Sequence, residues 1–378
     1  MSKKRLFEAV ATLAGCTIGA GILGIPYVVA KAGLLTGLVN IALVGILFLI
    51  INLLLGEVTL RTKGRHQLPG YAGKYLGRVG KILMFISVII GDYGAITAYI
   101  LGGGTALSAL LGTGVILSGT LFFLFIAWLI YLGLEAVEDS EGIATPILLG
   151  ILLVFIVLAF FKIDHSNLSG FALPSFFMPF GVIVFAMVGT AAIPEMREEM
   201  ASERKKLKKA IIIGTLIPVV FYALFAIAIV GVHGLKTGEI ATMNLSDIVG
   251  PDLAFLGELF AIFNMTTSFL AIGLALKEMF WYDLGLKKGT AWLLSCFVPY
   301  MLFLLLAYFS IAGFITVLEV SGTVGGVITG SLIILTAMQA KRLGERKPEY
   351  ELKINKWLAA IIVILLLTAG VFKLTTMF

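Results

Sequence analysis

Gly19, Gly21 and Gly24 lie in the stretch "GCTIGAGILGIP", residues 15 to 26, with the spacing of the glycines that wrap a dinucleotide pyrophosphate. That chemistry needs a buried strand before the glycines, a helix after them and an acidic residue about 20 positions further on for the ribose. Here they follow a basic start (Lys3, Lys4, Arg5) and an apolar run, and the first acidic residue after Gly24 is Glu57. The sequence therefore argues against a nucleotide site. Three glycines and Pro26 in so short a span serve instead to interrupt a helix.

The elements around them belong to a membrane. Of 378 residues, 60% are hydrophobic and 13% charged, with a mean hydropathy of +1.06, against about 25% charged in soluble domains. About 20 apolar residues suffice to cross a bilayer. Eleven such segments can be read, at 6–33, 36–60, 82–111, 115–134, 142–162, 174–196, 208–232, 252–280, 289–310, 312–340 and 355–376. The expectation is an all-α membrane protein. The first segment is too long, and too interrupted, for a cleavable signal peptide. Cys16 and Cys296 both fall inside apolar segments, so no disulfide is expected.

Charge sets the orientation. With the N-terminus inside, 24 of the 28 Lys and Arg residues lie before the first span or in cytoplasmic loops, leaving Lys31, Lys162, Lys236 and Lys373 outside. The positive-inside rule then predicts a cytoplasmic N-terminus and an external C-terminus in a cell (plasma) membrane protein. The net charge of +6 reflects this asymmetry rather than a nucleic-acid partner.

The glycine motif recurs. In "FAMVGTAAIPEM", Gly189-x-x-x-Ile193-Pro194 repeats the spacing of Gly21-x-x-x-Ile25-Pro26 at an offset of 168 residues. The two motifs fall in the first and sixth segments, which cross in opposite directions. Paired Gly/Pro interruptions at matching places in two inverted halves point to a transporter's binding site. An unwound helix in hydrocarbon is tolerated only where it is buried in protein or faces a polar cavity. Amides of Ala20, Gly21 and Ile22, opening the second half-helix, suit a carboxylate. Carbonyls at the end of the first half-helix around Thr17, with those of Val184, Phe185 and Met187, suit an ammonium. Together they describe an α-amino acid. The nearby side chains Ile22, Phe185 and Met187 carry no charge, so a neutral, apolar or aromatic substrate is expected, with Phe185 as a gate. The run Gly102-Gly103-Gly104 reads as helix packing.

"GAGILGIP", "FAMVGTAAIPEM", "TTSFLAIGLALKEM" in the eighth segment and the loop "YAGKYLGRVGK" resemble the amino acid/auxin permease family, which includes prokaryotic tryptophan and tyrosine permeases and sodium-coupled neutral amino acid transporters. The resemblance implies the leucine-transporter-like fold, with two inverted five-helix repeats (1–165 and 166–343), a cytoplasmic loop and eleventh helix (344–378), and discontinuous helices 1 and 6. It implies transport by alternating access, with no resident cofactor. It also implies a sodium site, carried over by position to carbonyls of Gly15, Ile18 and Asn264 and hydroxyls of Thr267 and Ser268. Oxygen ligands suit a hard cation. Against sodium, the animal sodium-coupled members have Asn where this chain has Gly15. Against the proton, proton-coupled relatives place a Lys in the fifth span, and 142–161 has none.

Acids within spans offer the other route to coupling, since an ionisable group at membrane depth is a functional candidate. Asp92, in the third segment, and Glu319, in the tenth, are the candidate proton carriers. Glu258 lies in the outer part of the eighth. Glu57 pairs with Arg61 one turn onward. His66, His165 and His233 are expected in loops, which leaves no intramembrane histidine for an enzyme or relay. A channel, or a carrier of another small zwitterion or amine, stays as the alternative function. The partners are a small amino acid, a coupling cation or proton, and lipid; oligomeric state is left open.

Overall fold

The computed structural model describes residues 2–133, 136–168, 170–244, 248, 250 and 255–377. Among them all regular structure is helical. Chain order gives α1 (Ser2–Thr17), α2 (Gly21–Ala32), α3 (Leu34–Arg61), α4 (Leu68–Leu111), α5 (Val115–Leu132), α6 (Ala136–Phe160), α7 (Phe180–Met187) and α8 (Ala192–Glu199). Then come α9 (Leu207–His233), α10 (Phe255–Glu278), α11 (Lys288–Tyr308), α12 (Phe314–Val320), α13 (Val327–Leu343) and α14 (Lys356–Met377). A π-helical stretch, Ser321–Gly326, joins α12 to α13.

Nine helical stretches among the described residues are long and apolar enough to cross a membrane, and α1 with α2, bent by 55° at their junction, makes a tenth. The apolar part of α6, Pro146–Phe160, is shorter. Leu121, Leu124, Phe125 and Trp128 on α5, and Ile361, Ile364 and Leu365 on α14, point outward and exposed. Such a belt suits hydrocarbon and would be a liability in water. The protein is a multi-pass membrane protein.

The core lies where α1, α2, α7 and α9 meet, around Leu13, Ile22, Val182, Ile183, Tyr222 and Phe225. α4 runs through the molecule against α5, α10, α11 and α13. Its Tyr93 hydroxyl donates to the Leu294 carbonyl at 3.0 Å, and its Thr97 hydroxyl lies 3.2 Å from the Pro299 carbonyl, both on α11.

Two local expectations change. "YAGKYLGRVGK", read as a loop, is helical: Pro69 in the first turn starts α4 well before residue 82, and Gly77, at φ 73°, kinks an N-terminal arm away from the span. Leu68, Tyr71, Ala72 and Tyr75 bury one face of that arm. His233 is the last residue of α9 rather than a loop residue, its ring nitrogen Nδ1 3.2 Å from the Ile229 carbonyl. Glu57 is held by Arg61 at 2.8 Å, and it also accepts the Leu352 amide at 2.9 Å. The segment between α13 and α14 thus straps back onto α3, with the Tyr350 hydroxyl on the Leu53 carbonyl at 2.7 Å.

Candidate functional site

The helical hydrogen-bond pattern stops at Thr17 and resumes at Gly21, and it stops again at Met187 and resumes at Ala192. These interruptions lie against each other reciprocally. A β-carbon at Gly21, the first residue of α2, would come 2.9 Å from Cα of Ala186 and 3.1 Å from the Phe185 ring, at the end of α7. A β-carbon at Gly189, just before α8, would strike the Thr17 hydroxyl and lie 3.1 Å from Leu13, at the end of α1. Only residues without a β-carbon allow both approaches.

The backbone left over by these interruptions is partly claimed. Ile22 donates its amide to Gly19 at 3.3 Å, so it is not open as expected; the anion reading narrows to the amides of Ala20 and Gly21. Thr17 is buried, and its hydroxyl donates to the Leu13 carbonyl at 2.7 Å. The carbonyls of Thr17 and Ala186 lie 2.7 Å and 2.9 Å from the hydroxyl of Tyr222, which reaches in from α9 and ties the two first half-helices together.

Side chains expected at the site separate into two groups. Phe185 is half-buried and meets Tyr99 of α4 edge to face, centroids 6.4 Å apart. Ile22 and Met187 are packed in the core; Val184, expected there through its carbonyl, has its side chain toward Gly326 in the π-helical stretch. Ser268 of α10 comes to the first interruption, where a β-carbon on Gly19 would lie 3.0 Å from its Oγ and 3.6 Å from the Tyr99 hydroxyl. Thr267 instead turns its hydroxyl back onto the Asn264 carbonyl at 3.0 Å. A hydroxyl that donates still has lone pairs for a cation. Gly15 and Ile18 flank the end of α1, with the Ile18 amide on the Ala14 carbonyl at 2.8 Å.

The two acids differ. Glu319 is ion-paired with Lys373 of α14 at 2.9 Å, and the same ammonium donates to the Met178 carbonyl at 2.9 Å. Asp92 is reached by no hydrogen bond or ion pair from any described residue and is in electrostatic range of Tyr99. Cys16 is exposed, also in range of Tyr99. No cluster of metal-ligating His, Cys, Asp or Glu occurs among the described residues.

Sequence reasoning missed Tyr99 and Tyr222. Tyrosines in membrane proteins collect at the interfaces, whereas these two lie well inside their helices, where a phenol needs a polar partner. That displacement was the available signal.

Two interrupted helices in contact within a helical multi-pass chain define a membrane carrier. The fold matches the crystal structure of MhsT in complex with L-phenylalanine, with a TM-score of 0.68 over 98% of each chain at 16% identity, and is thus leucine-transporter-like. The model of the tryptophan/tyrosine permease family matches residues 2–373, and the chain belongs to that family. It is 28% identical to tyrosine-specific transport system 1 of Haemophilus influenzae, over 95% of this chain and 93% of that one. To tyrosine-specific transport system 2 of the same organism it is also 28% identical, covering 85% and 84%. To glutamine transporter 2 of Aliivibrio fischeri it is 23% identical, covering 72% and 74%. The protein is an amino acid transporter, not an enzyme.

Proposed function

We propose that the protein carries neutral, aromatic L-amino acids across the plasma membrane by alternating access, coupled to a cation. The observation that carries this reading is the reciprocal contact of the two interruptions, Gly21 on Ala186 and Gly189 on Thr17. That contact supports reading the amides of Ala20 and Gly21 and the carbonyls that end α1 and α7 as one site. One end of that arrangement suits a carboxylate and the other an ammonium. Phe185 and Tyr99 offer ring faces for a side chain. The relatives, two tyrosine-specific transport systems and a structure with L-phenylalanine, support an aromatic substrate.

The architecture that fits this reading has eleven spans, with α1 and α2 as the first and α7 and α8 as the sixth. Residues 1–165 and 166–343 form inverted five-helix repeats, and 344–378 add a cytoplasmic loop and a final helix. The N-terminus is cytoplasmic and the C-terminus external, following the Lys/Arg distribution. The coupling ion is sodium, held by carbonyls of Gly15, Ile18 and Asn264 with Thr267 and Ser268; Ser268 at Gly19 supports it. An ion bridging α1 and α10 biases one access state only through its differential affinity for the two. The competing account is the proton, for which Asp92, free of partners among the described residues, is better placed than the paired Glu319.

Reconstitution into liposomes tests the function directly. Uptake of labelled tyrosine, tryptophan and phenylalanine is expected to exceed that of glutamate and lysine, and to respond to a sodium gradient. Uptake indifferent to sodium would remove the cation site as drawn. Absence of aromatic amino acid uptake under any gradient would overturn the substrate reading.

A further inference from the structure

Asp92 is the one charged side chain of α4 between Lys81 and the end of that helix at Leu111. It is seven residues before Tyr99, so two helical turns bring both onto one face. At 1.5 Å per residue the separation along the axis is about 10 Å. Tyr99 stands beside Gly19 at the first interruption, and the thiol of Cys16 is exposed in the same neighbourhood. The wall is aromatic at one end, with Phe185 edge-on to Tyr99. Just before α8 the small side chain of Ala191 is exposed.

A carboxylate at membrane depth without a partner is costly to keep. Glu57 and Glu319 meet that cost with Arg61 and Lys373. Nothing within the described residues does so for Asp92, which leaves its acceptor oxygens to whatever enters the site. We propose that Asp92 is a specificity residue, accepting a hydrogen bond from the donor at the far end of the substrate's side chain, the para-hydroxyl of tyrosine.

The inference rests on the amino acid reading of the helix interruptions and adds a ruler to it. The α-carboxylate sits at Ala20 and Gly21, and the ring passes Phe185 and Tyr99. The hydroxyl then arrives about two helical turns along α4. In tyrosine the distance from carboxylate to phenolic oxygen, built from ordinary bond lengths, is on the order of 8–9 Å. Phenylalanine fills the same space and leaves the carboxylate unpaired, which is how a polar site rejects an analogue that lacks the donor. A lysine ammonium would meet the same carboxylate only after passing the two rings, so lysine is the competitor that tells charge pairing from recognition of a hydroxyl.

The test is equilibrium binding of labelled L-tyrosine to the purified full-length protein in lipid nanodiscs, with L-phenylalanine and L-lysine as competitors. A hydrogen bond to a charged group predicts a tyrosine preference over phenylalanine of about 10- to 100-fold. Asp92→Leu should bring that ratio to near one, and Asp92→Asn, which keeps a neutral acceptor, should reduce it by roughly the square root. The ratio within each variant is the readout, so a partial loss of folded protein does not move it. If the leucine variant yields no binding protein, the asparagine ratio decides. An unchanged ratio overturns the inference, as does wild-type protein that binds both amino acids alike or prefers lysine. Tyrosine and phenylalanine binding equally would spare the aromatic transporter reading. Neither binding at all would take both down.

Discussion

The corner where α14 meets α12 and the stretch of α4 that leads to the interrupted helices each contain a carboxylate within a span, and they treat it in opposite ways. At the corner, Glu319 and Lys373 hold each other at 2.9 Å, with side chains only 12% and 7% exposed, and the ammonium also caps Met178. On α4, Asp92 has no such tie among the described residues. In sequence the two acids looked equivalent, each a lone acid in an apolar segment. A partner 54 residues away, on the last helix, is what separates an anchor from an available acceptor.

The comparison can be broken most forcefully at the corner. Glu319→Gln leaves Lys373 buried and uncompensated, a loss of about 3–5 kcal/mol in stability. Thermal unfolding in detergent measures it, and adding Lys373→Met should restore most of the loss. A midpoint that does not move would mean the pair holds nothing. At the crossing of the interrupted helices the largest response comes from volume rather than charge: Gly21→Val forces β-branched bulk against Ala186 and Phe185, costing about 1–3 kcal/mol. Substrate binding should be lost with it. Retained binding of every aromatic amino acid would count against the crossing as the site.

Asp92→Asn breaks no ion pair, so its effect on unfolding should stay within about 1 kcal/mol. Its use is to sharpen the coupling question. If the proton drives uptake, this variant flattens the pH profile; if sodium does, Thr267→Ala with Ser268→Ala abolishes sodium stimulation and leaves the pH profile in place. Both variants behaving as wild type would exclude each route. Smallest of all is a surface control, Glu345, in the segment between α13 and α14. The Lys74 ammonium and the Lys63 amide, both at 2.7 Å, hold its carboxyl below the usual range. A carboxyl lowered by folding stabilises the folded state above its unfolded pKa and loses that contribution as pH falls through its folded one. The melting difference between Glu345→Gln and wild type should therefore be slight at neutral pH and vanish in acid. A difference that grows in acid would reverse the sign.

What could be read ahead of the structure was whatever depends on periodicity and composition. Helical segments and membrane depth follow from runs of apolar residues, and the Glu57–Arg61 pair follows from helical spacing within four residues. The arm before Gly77 escaped because its apolar face, Leu68, Tyr71, Ala72 and Tyr75, is interleaved with glycine and lysine and mimics a loop. Within the candidate site, Gly21 and Phe185 could be picked out from their motifs. Tyr99, Ser268 and Tyr222 come from three different helices, and what joins them is the packing of α4, α10 and α9 around α1. No local pattern encodes that packing. The Lys373 contact with Glu319 is of the same kind, joining residues 54 apart in sequence.

Tyr222 carries a further consequence. A phenol has one hydrogen, yet two carbonyl oxygens, those of Thr17 and Ala186, compete for it at 2.7 Å and 2.9 Å. If the phenol turns to Thr17, the Ala186 oxygen is left short of a donor among the described residues; if it turns to Ala186, the Thr17 oxygen still accepts the Gly19 amide at 3.0 Å. The two half-helix ends are thus unequal, and the shortage falls on the end of α7. A cation held at Ala186 would remove that shortage and leave the phenol to Thr17, so the bare crossing is lopsided, satisfied at α1 and waiting at α7.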